Sequence, residues 1–157
     1  MYPMTVADQT SRVPALDARA MARLTSALDR PEVVAAFLIG SQARGSAGPL
    51  SDVDVAILHA PGLTSRERLE LRLYLGSSAA AALGTPEIDI VLLNGAPPLL
   101  RHRALRDGIR LLDHSPEKRI DFEVRTLNDY VDTEPLRRLG SRRLRKSIAE
   151  GNFGRRS

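Results

Sequence analysis

Seven consecutive apolar residues, Val33 to Ile39, stand between Pro31 and Gly40. A run this short without polar interruption reads as a buried strand, and a buried strand needs a sheet covered by helices. Helical and strand patterns are found on both sides of it. Leu16, Ala20, Leu24 and Leu28 recur every four residues and predict a helix that ends at Pro31. Asp52 to Leu58 predicts a second strand with Val53, Val55 and Ile57 on one face. Ser65 to Leu83 predicts a long helix, with Ser65 as its N-cap and Gly84 as its stop. Glu87 to Leu93 predicts a third strand, Leu99 to Asp107 a helix, and Ile109 to Leu112 a short edge strand. Pro116 suits the first turn of a helix in which Ile120, Val124, Leu127 and Val131 share a face, and Pro135 opens a new segment. Strands and helices mixed in 157 residues predict one α/β (α+β) domain, a small mixed sheet flanked by helices.

Charge divides the chain unevenly. From Arg137 to Ser157 eight basic residues face Glu150 alone, so the net charge of +4 leaves residues 1–136 at −3. The expected division is therefore a folded body over 1–139 and a basic, flexible tail over 140–157. A nucleic-acid-binding domain would spread its positive charge over a folded face, so direct binding is expected at most through that tail. There is no cysteine for disulfides or thiolate metal sites. No apolar run approaches the roughly 20 residues of a membrane span, and the N-terminus lacks a signal-peptide pattern. The expected location is the cytoplasm.

The chemistry lies in one stretch: Gly40-Ser41-Gln42-Ala43-Arg44-Gly45, then Ser51-Asp52-Val53-Asp54, and later Asp89 within EIDIVLL. On a strand, residues two apart face the same way, so Asp52 and Asp54 stand side by side. Such a pair is costly unless a cation lies between its members. Asp89 alternates with Ile88 and Ile90, and a neighbouring strand would bring it to the same edge. Three carboxylates there suit magnesium, in two ions, one for a triphosphate and one for the attacking oxygen. The implied reaction is in-line transfer at an α-phosphate, with pyrophosphate leaving. Gly40 lets the backbone approach a phosphate, Ser41 offers a hydroxyl, and Arg44 a fork of donors. The loop lacks the Lys-Ser/Thr of a P-loop. His102, between two arginines, reads as a surface residue, and Tyr74 and Tyr130 as packing residues.

GSQARGSAGPLSDVDVAIL resembles the GSxARG-to-SDxD signature of the minimal nucleotidyltransferases, a branch of the DNA polymerase beta-like superfamily. The likeness continues through EIDIVLLNGAPPLLRHRALRDG and SPEKRIDFEVRTLNDY, covering about residues 15–135, and is to the single-domain antitoxins paired with HEPN toxins. The resemblance implies a polymerase beta-like nucleotidyltransferase fold. It makes Asp52, Asp54 and Asp89 the metal-binding, catalytic carboxylates, and Gly40, Ser41 and Arg44 nucleotide contacts, with Ser51 beside them. It further implies ATP as substrate, magnesium as cofactor, and a HEPN ribonuclease as hetero-oligomeric partner that receives AMP on a hydroxyl, expected to be a tyrosine's. Two other readings remain at this point: an adenylyltransferase acting on a small molecule of the aminoglycoside type, and a non-catalytic antitoxin that acts by binding alone.

Overall fold

The structure, a computed structural model, describes residues 16–46 and 52–149. Its centre is a four-stranded sheet in the order β3-β2-β1-β4, built from β1 (Val33–Ile39), β2 (Val53–His59), β3 (Ile88–Leu92) and β4 (Ile109–Asp113). β1 is antiparallel to both β2 and β4, whereas β2 and β3 are parallel. The sheet is therefore mixed, and the uninterrupted apolar run is an inner strand, as its composition requires.

Six helices join the strands. α1 (Ala18–Ala27) and α3 (Ser65–Leu83) cover one face, where Leu24, Leu28, Leu71, Leu75 and Ala79 pack on Val33, Val53, Val55, Ile57 and Ile90. α4 (Pro98–Asp107) and α5 (Pro116–Asp132) cover the other, where Ala104 and Phe122 meet Val34, Phe37, Ala56 and Leu58. The short α2 (Gly40–Arg44) follows β1 directly, and a single 3-10 turn, Leu93–Gly95, follows β3. Alternation along β2 separates the two cores: Val53, Val55 and Ile57 face α1 and α3, while Ala56 and Leu58 face α4 and α5.

Local chemistry explains the helix ends. Asp17 caps α1 by accepting from the Ala20 N–H at 2.7 Å. Thr64, not the expected Ser65, is the N-cap of α3. Its hydroxyl accepts from the Glu67 N–H and Glu67 accepts from the Thr64 N–H, a reciprocal capping box. Gly84 closes α3 in the left-handed region, at φ 66°.

Two departures concern the C-terminal part. Ile120, Val124, Leu127 and Val131 do share a face of α5, but that face is exposed, and Phe122 and Thr126 are the residues buried against the sheet. α6 (Glu134–Ala149) runs across Gly140, so residues 140–149 are helical and the expected boundary at 139/140 falls inside a helix. α5 and α6 are separated by Thr133 alone. Pro135 lacks the N–H that would bond to the Val131 carbonyl, which breaks the helix there. Among the described residues, no helix is long and apolar enough to cross a membrane.

Candidate active site

The candidate residues gather where β1 ends and β2 and β3 begin. The parallel pairing of β2 with β3 sets Asp54 directly beside Asp89, one register step after Val53 beside Ile88. Their flanking residues Val53, Val55, Ile88 and Ile90 belong to the core under α1 and α3. Strand alternation therefore puts both carboxylates on the opposite face of the sheet. Asp52 lies one residue ahead of β2, exposed, with the same parity as Asp54.

Asp54 is the most constrained of the three. Burial raises its pKa above the ordinary aspartate value, and the negative charges of Asp89 and Asp52 raise it further, while Arg44 opposes them. β1 contributes on the other side. Ile39 pairs with Asp54 across the antiparallel ladder, and Gly40 follows with φ 71°. A Cβ built on Gly40 would stand 2.4 Å from the Asp54 Oδ2 atom. Position 40 thus demands glycine twice, for its left-handed backbone and because the Asp54 carboxylate occupies the space of any side chain.

α2 then carries Ser41, half-buried, and Arg44, exposed. Gln42 and Ala43, on the inner side of that turn, are buried. Gly45 ends α2 at φ 69°. Ser51, expected beside the phosphate contacts, lies outside the described residues. A cavity of about 230 Å³ opens alongside, lined by Ile39, Gly40, Arg44, Leu100, Arg103 and Gly108 among others.

Three neighbours carried no distinguishing signal in the sequence. Arg72 of α3 reaches Asp89 at 3.8 Å, both groups more than half exposed. Arg103 of α4 lines the cavity next to Arg44. Gly108 lies against Ala104, Phe37 and Ile39 so closely that a Cβ there would come within 2.4 Å of the Ala104 carbonyl. His102, expected at the surface, is half-buried and stacks on Tyr130 with ring centroids 3.9 Å apart. It stands outside the carboxylate edge.

The donor set fits a hard cation, since all three groups offer oxygen and Asp54 bears a like-charge penalty that a cation would relieve. Among the described residues, however, no three acidic, histidine or cysteine side chains close into a metal-sized cluster. Asp89 is drawn toward Arg72, and the carboxylates repel one another.

A mixed sheet with paired carboxylates on adjacent strands, beside a Gly-Ser turn and a basic cavity, defines an architecture for phosphate-centred transfer. The family model described as polymerase beta, nucleotidyltransferase, matches residues 23–117. The chain belongs to that family, and its class is nucleotidyltransferase. No protein of curated function matches it. Among solved structures it is similar to a toxin–antitoxin crystallised with AMP-PNP, at 25% identity and TM-score 0.64, covering 79% of this chain and 97% of that one. It is also similar in fold to a chain of the MntA–HepT toxin–antitoxin, at 24% identity and TM-score 0.58, covering 80% and 96%. A third similarity of fold is to a chain in a complex of tri-AMPylated Shewanella oneidensis HEPN toxin with MNT antitoxin, at 22% identity and TM-score 0.61, covering 80% and 95%.

Proposed function

We propose that the protein is the antitoxin of a toxin–antitoxin pair and transfers AMP from ATP to a tyrosine hydroxyl of a HEPN toxin. The observation that carries this reading is the pairing of Asp54 with Asp89 across β2 and β3, with Gly40 closed against the Asp54 carboxylate. The similarity to a toxin–antitoxin holding AMP-PNP supports ATP as the donor, and AMP is the group carried by the toxin in the Shewanella oneidensis complex.

In this reading Ser41 and Arg44 bind phosphate oxygens of ATP, and Ser51 adds a hydroxyl to the same seat. Asp52, Asp54 and Asp89 would hold magnesium, which neutralises triphosphate charge when bound. Asp89, the most open of the strand carboxylates, draws the proton from the acceptor hydroxyl. The acceptor oxygen bonds to the α-phosphorus, the bond to the β-phosphate bridge breaks, and pyrophosphate carries away the electron pair. AMP on the toxin adds negative charge and bulk where an RNA phosphate would bind, which switches off a ribonuclease.

Incubation with a HEPN toxin, ATP and magnesium tests the proposal. Intact-mass spectrometry should show one or more AMP additions to the toxin, absent when Asp89→Asn replaces the wild type. A toxin neutralised without mass change would leave binding alone as the function.

A further inference from the structure

α5 carries an apolar face that this chain leaves uncovered. Ile120, Val124, Leu127 and Val131 are 50%, 54%, 52% and 55% exposed, although Phe122 and Thr126 behind them are buried. Their spacing of four, three and four residues is that of a heptad a/d seam, narrower than the stripe of a helix that covers a sheet. The seam is about 16 Å long at 1.5 Å per residue. Leu136 and Leu139 of α6 are exposed as well. Contiguous apolar surface of this kind marks an interaction site.

We propose that the α5 seam docks a helix of another protein, one whose own apolar seam is bordered by lysine and arginine. A surface of a/d spacing takes its knobs from a helix of matching spacing. Glu117 and Asp121, both exposed, border it on one side. On the other side Glu123 is held by Arg119 at 2.7 Å. Lys118, Arg125 and Asp132, seven residues apart in one column, lie further round, and Lys118 and Arg125 line a cavity with Asp121, Val34 and His59. The open border is therefore acidic and complementary to a basic helix.

A second copy of the chain fits poorly. Antiparallel pairing about the middle of the seam sets Ile120 opposite Val131 and Val124 opposite Leu127. One layer further out it leaves Glu117 past the end of the other copy's α5, and parallel pairing sets Glu117 against its own counterpart. Parallel pairing brings like charges face to face, and antiparallel pairing offers the acids beside the seam only Asn128 and Tyr130, no cation. Nor can α6 fold back over its own α5, because Thr133 alone joins them. The assignment of this helix to the HEPN chain rests on the function proposed above; the chemistry of the seam does not.

The probes are two synthetic helical peptides with one leucine seam, bordered by Lys/Arg in the first and by Glu in the second. Fluorescence anisotropy with the full chain should show the basic peptide binding at least about tenfold more tightly, with affinity falling as salt rises. The double variant Val124→Asp with Leu127→Asp should lose about tenfold or more in affinity for the basic peptide. Both side chains are exposed, so its melting temperature and ATP binding should match the wild type. Sedimentation should show a monomer. Equal binding of both peptides, undiminished binding by the double variant, or a dimer that the double variant dissolves would each overturn the proposal. Peptide binding intact with no AMP transfer to the toxin would remove the proposed function and leave the seam standing; the reverse pattern would do the opposite.

Discussion

Gly40 and Asp54 are two halves of one requirement. Gly40→Ala would meet a left-handed backbone and a carboxylate oxygen 2.4 Å from its new methyl, so Asp54 must move. The left-handed strain alone costs about 1–2 kcal/mol. The melting temperature should therefore fall by a few degrees, at about 2–4 °C per kcal/mol for a chain of this size. Nucleotide transfer should be lost, and a variant that melts and transfers like the wild type would show that the close approach is unimportant. Asp54→Asn should move stability the other way. The folded chain holds the Asp54 proton above the ordinary aspartate range, so the charged form is penalised at neutral pH and the penalty fades as pH falls through the folded-state value. Removing the charge should raise the melting temperature at neutral pH, and less so in acid, while transfer disappears. Calorimetry across pH checks both parts. Gly40, Ser41, Arg44, Asp52 and Asp54 could be grouped from the sequence because they lie close together along the chain, whereas Asp89 joins them only through strand pairing. Arg72 and Arg103 were not legible, because each is one arginine among many on its helix and only the packing of α3 and α4 aims it at the site.

Among the elements, α3 shows how much depends on its first turn. The Thr64–Glu67 capping box satisfies backbone donors that the helix itself cannot. Thr64→Ala should cost about 1 kcal/mol, the usual worth of an N-cap side chain. The Thr64 N–H, more than its hydroxyl, holds the Glu67 carboxyl below the ordinary glutamate range. That contribution is present at neutral pH and is lost as pH falls through the folded-state value, so part of the stabilisation should vanish in acid. Thermal melts of wild type and Thr64→Ala at neutral pH measure the hydroxyl's share, and melts of wild type and Glu67→Ala at neutral and acid pH measure the carboxyl's; equal melting temperatures for wild type and both variants at neutral pH would mean that the box contributes nothing. β1 was readable to the residue because seven apolar residues between Pro31 and Gly40 admit one reading. α5 was readable as a helix but not in its orientation. Its most regular apolar stripe points outward, and periodicity reports that a face exists without saying what covers it.

At the scale of the molecule, the order of the strands turns scattered acids into a site. Asp54 and Asp89 are 35 positions apart, and only the parallel pairing of β2 with β3 makes them neighbours. An adjacent third strand could be anticipated from the alternation of Asp89 with two isoleucines, and β4 as a short edge strand from Ile109 to Leu112, whereas the continuation of α6 past Gly140 depends on tertiary context that local composition does not carry. The central claim is that this edge transfers a nucleoside monophosphate, not a terminal phosphate. The direct measurement uses ATP labelled either at the α- or at the γ-phosphate, with magnesium and a HEPN toxin, the proposed acceptor, for wild type and Asp54→Asn. The account predicts that wild type moves the α-label onto the toxin, that the γ-label leaves as pyrophosphate, and that Asp54→Asn moves neither. Transfer of the γ-label, or α-label transfer undiminished in Asp54→Asn, would contradict it.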